Sequence, residues 1–261
     1  MTVPNEVSKI INDSGNTFHA SVARWLYDQK WHVVVSPYYM DHTHNKAREI
    51  DLVAEKLWPI KDRQGQHIDN VAVRLFIECK YFSSHSVLWF AEKDLKSAKE
   101  LVCSNGNYRS NNMYTDEHHY LTQSHKVAKI FSTRPNKSPE NDPFYKALNQ
   151  VLNAMVSMRR KAVTVPREKK SYVKTSIIIE FPVVVCSSFN QTYKVDFYTE
   201  SDPELIKDNF QLEIRYAYFE RSNRKRDDYF LIDFVEFDQI DKFTDAISND
   251  ANIAVNLASI Y

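Results

Sequence analysis

The sequence predicts an α/β fold, with a central mixed β-sheet flanked by helices and extended by a strand-rich C-terminal half. Three observations predict it. Phe18, Val22, Trp25 and Leu26, and later Leu148, Val151, Leu152, Met155 and Met158, recur at helical spacing. Val71 to Lys80 is a run of apolar, mostly β-branched or aromatic residues with no Gly or Pro. Beyond residue 172, strand-like runs cover Thr175–Cys186, Tyr193–Tyr198, Gln211–Phe219 and Tyr229–Phe237.

In chain order, residues 4–12 suit a short helix, and Ser14-Gly15-Asn16 then punctuates and offers a cap. A helix from Thr17 to Lys30 leads to a strand from Trp31 to Tyr39 that ends at Ser36-Pro37. Residues 48–80 read as an antiparallel hairpin turned by the polar stretch Lys61 to His67 with Asp69-Asn70. Residues 81–142 are polar and irregular, with helices expected at 90–102 and near 120–132 and loops at Asn105 to Asn112 and Arg134 to Pro143. A helix spans Phe144 to Lys161, where Met155 and Met158 serve packing, and a loop spans Thr164 to Ser171. A short helix from Gln239 to Ser248 follows the last strand. Composition does not shift across the loop at 164–171, and strands on either side need each other to make a sheet. Residues 1–261 therefore read as one extended domain, with its chemical motifs in 14–81 and the extension in about 172–261.

Composition excludes several classes. A hydrophobic fraction of 43% supplies a core, and 34 basic against 34 acidic residues leave no net charge to attract nucleic acid over the whole surface. Basic residues instead cluster at Arg159-Arg160-Lys161, at Arg167 with Lys169-Lys170, and at Arg221 with Arg224-Lys225-Arg226, any of which could follow a phosphate backbone. Cysteines 79, 103 and 186 are isolated, which argues against a disulfide framework or structural zinc site and for a reducing cytoplasm. Met1 to Glu6 lacks the features of a signal peptide, and no apolar stretch is long enough to span a membrane. Only Gly15, Gly65 and Gly106 are present and they lie far apart, which excludes dinucleotide and P-loop fingerprints and a G-x-S-x-G elbow.

The chemistry centres on Asp51, in Arg48-Glu49-Ile50-Asp51-Leu52-Val53-Ala54, and on Glu78-Cys79-Lys80 at the end of the 71–80 strand. Alternation puts Val71, Val73, Leu75, Ile77 and Cys79 on one face and Ala72, Arg74, Phe76, Glu78 and Lys80 on the other. On the first strand, Ile50, Leu52 and Ala54 share a face and Asp51 and Val53 the other. Charges at the apolar end of a hairpin need a partner or a metal. An acid two residues before a lysine also occurs at Asp28, Asp94 and Glu168, but only Glu78-Cys79-Lys80 ends a strand behind another carrying an aspartate. The plain alternative is a structural Glu78–Lys80 ion pair.

This order of a helix, an acidic hairpin, a helix and a further strand resembles the PD-(D/E)XK, or restriction-endonuclease-like, nuclease superfamily. Asp51 matches its first-strand aspartate, and Glu78 and Lys80 match its second acidic residue and lysine. Gly15-Asn16-Thr17-Phe18-His19 is similar to the G-x-x-x-H motif of RecB-type members, where Mrr-type enzymes more often carry glutamate. The RecB-type Q-x-x-x-Y element has no full match, because Gln150 is followed by Ala154 and Gln123 by Val127. The resemblance implies a restriction-endonuclease-like core and a Mg²⁺ or Mn²⁺ site formed by Asp51, Glu78, the Cys79 backbone carbonyl and His19. It implies catalysis by Asp51, Glu78 and Lys80. Gln150, from the partial motif, and Arg159, Arg160 and Lys161, from the basic cluster, are the candidate substrate contacts, with a surface glutamine and a solvated helix end as the plain alternatives.

The expected function is metal-dependent hydrolysis of DNA in bacterial anti-phage defence or restriction; the same site would serve RNA. A homodimer or an activating protein partner would fit two-strand cutting. The alternative is a non-catalytic subunit that binds nucleic acid or a partner in a defence or repair complex. His42 and His44 read as a polar turn, His118-His119 and His125 as surface groups, and Glu49 as facing away from Asp51.

Overall fold

The computed structural model describes residues 5–82, 84–105, 115–133, 142–159 and 174–259. Helices α1 (Asn5–Asp13) and α2 (Asn16–Asp28) lead to β1 (His32–Val35), a small hairpin of β2 (Tyr38–Asp41) and β3 (Lys46–Glu49), and a long hairpin of β4 (Leu52–Lys61) and β5 (His67–Lys80). Next come β6 (Ser86–Glu92), α3 (Leu95–Asn105), α4 (His119–Thr122), β7 (Lys126–Ser132) and α5 (Pro143–Met158). The rest is β8 (Lys174–Cys186), β9 (Thr192–Asp196), β10 (Glu204–Leu205), β11 (Phe210–Phe219), β12 (Lys225–Glu236) and α6 (Ile240–Ser259).

Strands from both halves of the chain interleave in one mixed sheet, ordered β1-β4-β5-β8-β12-β11-β7-β6-β9-β10. At its centre β5, β8 and β12 run parallel, with Lys80 opposite Cys186 and Cys186 opposite Glu236. Their carboxyl ends therefore share one edge of the sheet. Both faces of these strands are covered, which is why they read as nearly continuous apolar runs. Val71, Val73, Leu75, Ile77 and Cys79 of β5 pack beneath α2, α3, α4 and α6, through Val22, Val102, Tyr120 and Ile247 among others. Phe76, on the other face, packs with Phe144, Leu148, Val151 and Met155 of α5.

Turn chemistry sets the β4–β5 register. Gly65 adopts φ 80, and the Asp62 carboxylate accepts the backbone N–H groups of Gln64 and Gln66. Leu52 then falls opposite Ile77, and Glu55 opposite Arg74. Arg74 in turn lies opposite Glu180 of β8, so three buried charges form a row across three strands. Arg74 donates through Nε and Nη2 to Glu55 at 3.0 and 2.7 Å and through Nη1 to Glu180 at 3.0 Å.

Several expectations need correction. Trp31 to Tyr39 is not one strand: Ser36 takes φ 52 before Pro37, and β1 and β2 enter different sheets. Gly15, at φ 72, is the residue that caps α2, with no side-chain cap, although Ser14 Oγ accepts the Asn16 N–H at 3.2 Å. Ile50 packs with Val53 rather than with Leu52, because the chain bends at Asp51 and β4 begins only at Leu52. Residues 86–92 form a strand ahead of α3, and most of the helix expected at 120–132 is strand β7, paired with β6 and β11. Helix α6 runs on to Ser259 because Ala251, Ala254 and Leu257 extend its buried face. The loop at 164–171, most of the loops at 105–112 and 134–143, Gly106, Arg160, Lys161, Arg167, Lys169 and Lys170 lie outside the described residues.

Arg74→Ala would remove the cation shared by two buried carboxylates. It should lower unfolding free energy by about 3–5 kcal/mol in urea titration, and a loss under about 1 kcal/mol would show the row to be dispensable.

Candidate functional site

Asp51 sits in the bend ahead of β4, where Ser36 N–H donates to its carbonyl at 2.8 Å and Ile50 N–H donates to the Pro37 carbonyl at 3.3 Å. The bend turns the Asp51 carboxylate toward the end of β5, where Oδ2 accepts the Cys79 backbone N–H at 2.7 Å. His19, in the first turn of α2, brings Nε2 to 3.4 Å from the same oxygen. The edge of Phe18 meets the Phe237 ring at a centroid distance of 5.7 Å, which seats this end of α2 at the end of β12.

Glu78 lies on the opposite face of β5, with 1% of its surface exposed. Its Oε1 accepts from Lys80 Nζ at 2.6 Å, whereas its buried Oε2 has no hydrogen-bond partner among the described residues. Burial pushes the carboxyl up to about 7; Lys80 opposes that rise and the Asp51 charge adds to it. Lys80 Nζ also donates to Gln150 Oε1 at 3.3 Å, and the Gln150 carbonyl accepts from the Tyr39 hydroxyl at 3.3 Å. Gln150 reaches this position because Asp142 caps α5 through Phe144 N–H and Tyr145 N–H, with Pro143 in the first turn.

His19, Asp51, Cys79, Glu78, Lys80 and Gln150 thus converge at the carboxyl edge of the parallel strands, where open α/β sheets bind ligands. The three ligand-type atoms lying within 4.8 Å of one another are those of His19, Asp51 and Cys79, and the Cys79 atom is its sulfur. Glu78 is outside that group. Arg159 turns inward, 3.8 Å from Glu180 and from Asp228 and over the Phe230 ring. His42 and His44 lie in the β2–β3 turn, where His44 and Arg48 contact the buried Asp41. Glu49 is on β3 and hydrogen-bonds the Tyr38 hydroxyl, which raises that phenol's pKa. An open cleft of about 930 Å³ beside β9 and β10 includes none of these groups. Its lysines are largely neutralised, Lys126 by Asp196 and Lys194 by Glu204.

No family model, curated protein or solved structure matches the chain. Among the described residues, no helix is long and apolar enough to cross a membrane.

A second polar cluster overturns the surface reading of His118 and His119. Both are buried, at 3% and 4% exposure, with Asp233 of β12 and Asp250 of α6. His118 Nδ1 accepts the Tyr120 N–H at 3.1 Å, so Nε2 carries its proton toward Asp250 Oδ2 at 3.2 Å. A cation at Nε2 would have to displace that proton. His119 points Nδ1 at Asp250 and Nε2 at Asp233, the latter at 3.2 Å. Both nitrogens therefore donate, and the ring is an imidazolium. Burial pulls His119 down, but Asp250 and Asp233 outweigh it and lift it to about 10; burial holds His118 down at about 3. Buried Lys93 donates to the Tyr120 carbonyl at 2.6 Å, so two cations balance two carboxylates. The sequence signal was present: Asp233 interrupts the apolar run Tyr229 to Phe237, and Asp250 sits one residue before the buried Ala251.

This assignment has a pH signature. A pKa raised from 6.5 to about 10 gives stability that is full below 6.5 and lost as pH rises through 10. The difference in unfolding free energy between wild type and His119→Gln should therefore shrink by about 1.4 kcal/mol per pH unit across that window. A difference that stays constant from pH 6 to 9 would rule out the imidazolium.

Proposed function

We propose that the chain is a divalent-metal-dependent nuclease with a restriction-endonuclease-like core that hydrolyses DNA phosphodiester bonds. The observation that carries this reading is the buried Oε2 of Glu78, which lacks a hydrogen-bond partner while Lys80 and Asp51 stand beside it. A carboxylate oxygen left so in a dry site is costly unless a ligand completes it. The order α2, β4, β5, α5 and β8, with β5 and β8 parallel and with β6, α3, α4 and β7 inserted before α5, supports the core the resemblance implies.

Asp51 and Glu78 offer hard oxygen donors that fit Mg²⁺ or Mn²⁺, and the Cys79 carbonyl lies on the same strand end. When bound, such an ion supplies Lewis-acid polarisation of the scissile phosphate. The chain's own residues do the rest. Lys80, held between Glu78 and Gln150, orients the attacking water and offsets charge building on the phosphate oxygens. Gln150 keeps the ammonium in place, and the Cys79 N–H holds the Asp51 carboxylate beside His19. The setting we assign is anti-phage defence or restriction, with activation inside a complex.

A second reading, a non-catalytic subunit that binds nucleic acid or a partner, draws on one observation. Arg159 is committed to Glu180 and Asp228, so it is not free to serve as the substrate contact that the catalytic reading expects.

Glu78→Gln and Lys80→Ala should each slow Mg²⁺- or Mn²⁺-dependent cleavage of linear DNA by at least about 100-fold without weakening DNA binding comparably. Gln150→Ala should cost about tenfold through loss of the Lys80 contact. Full cleavage by both Glu78→Gln and Lys80→Ala would overturn the assignment of the active site to these residues. DNA binding with no cleavage by the wild type under either ion, or with partner extracts, would favour the second.

A further inference from the structure

We propose that His19, Asp51 and Cys79 form a site for a borderline-soft transition ion of the Zn²⁺ class, with the Cys79 thiolate as a ligand. This goes beyond the hard-ion reading, on which it does not depend, although the two share Asp51, His19 and, through a different atom, Cys79.

Three observations carry it. The donors are one nitrogen, one oxygen and one sulfur, all within 4.8 Å of one another, a set that selects transition ions over Mg²⁺. The His19 Nε2 to Asp51 Oδ2 separation is 3.4 Å, long for a charge-assisted hydrogen bond. It is close to the edge of about 3.3 Å expected between a nitrogen and an oxygen ligand in a tetrahedral zinc shell. Access is also right. The His19 and Asp51 side chains keep 29% and 16% exposure, so an ion can enter from solvent, while buried Cys79 closes the inner side. The His118–His119–Asp250 group has comparable atoms but is sealed, and its protons occupy the ligand positions.

Cys79 faces the α2 side of β5, and Glu78 faces α5. Asp51 alone serves both sides, through the bend that frees it from the strand. Burial and the Asp51 and Glu78 charges hold the thiol protonated in the free chain. Binding therefore forms a metal–sulfur bond and releases the thiol proton to solvent, driven by the charge of the ion. Three protein ligands leave a fourth position open, the arrangement of reactive rather than purely structural zinc.

Co²⁺ is the probe. Titrated into the full chain, it should give a near-ultraviolet sulfur-to-cobalt charge-transfer band and the intense visible bands of a tetrahedral ion, both displaced by Zn²⁺ but not by Mg²⁺. Cys103→Ser and Cys186→Ser should keep the band and Cys79→Ser should lose it. The partly exposed His19→Gln should weaken Co²⁺ binding at least tenfold, a readout that does not depend on altering a core residue. Zinc X-ray absorption on the wild type should show one sulfur at about 2.3 Å. Co²⁺ bound without the band, a band that survives Cys79→Ser, or a zinc shell without sulfur overturns the thiolate site while leaving the hard-ion nuclease reading intact. Conversely, a sulfur-ligated ion together with full cleavage by Glu78→Gln and Lys80→Ala would overturn the Glu78–Lys80 active site alone.

Discussion

Strand β5 is buried on both faces between β4 and β8, and that constraint organises the rest of the molecule. A strand with no solvent side must find a partner for every charge it carries. Arg74 shows the complete solution. Its guanidinium lies in register between Glu55 and Glu180 and donates to both. Four residues further on, Glu78 faces the same layer; Lys80 and the Asp51 backbone N–H favour its charged form, yet its buried Oε2 has no hydrogen-bond partner among the described residues. The two groups share a strand and a face and differ in whether the protein satisfies them. The incomplete one stands at the carboxyl edge of the sheet beside Lys80; the complete one lies further back along the strand.

The other face of the sheet is fastened differently. Asp233 of β12, His119 of α4 and Asp250 of α6 meet in one buried charge cluster, so three elements distant in sequence are joined by a cation between two carboxylates. Removing any member would leave a buried charge, which makes the cluster specific as well as cohesive. Helix α2 borrows this rigidity through Phe18 on Phe237, and His19 with it. The site is therefore assembled on elements held by packing and buried charge rather than on a surface loop.

Much of this was legible in the sequence, and the failures have physical causes. Period-two alternation placed every residue from Val71 to Lys80 on its proper face, because a strand covered on both sides has no freedom to slip. The same period, carried back past Leu52, misplaced Ile50, since the bend at Asp51 interrupts the pleat. β7 was read as helix because Lys126 to Ser132 alternates only weakly and its strand character comes from β6 and β11, partners remote in sequence. A charge inside an apolar run led to Glu78. Applied to Asp233 and Glu180, that rule would have marked both buried networks as well, yet it cannot say which charge is satisfied. Only the positions of Asp250 on a late helix and Glu55 on a neighbouring strand decide that, and these are tertiary facts.

The bend is what separates a strand charge from a site. Were β4 to continue through Asp51, alternation would commit that carboxylate to one face, and it could serve Glu78 or Cys79 but not both. Ser36 at φ 52 and the hydrogen bonds from Ser36 to Asp51 and from Ile50 to Pro37 release it from the pleat. The Cys79 N–H then fixes it at the strand end at 2.7 Å. Asp51 thereby stands near the Glu78 carboxyl of the α5 side and close to the His19 and Cys79 side chains of the α2 side. Burial raises both acids that flank it, the Glu78 carboxyl to about 7 and the Cys79 thiol well above its ordinary value, so a charge on either side of Asp51 is costly without a partner.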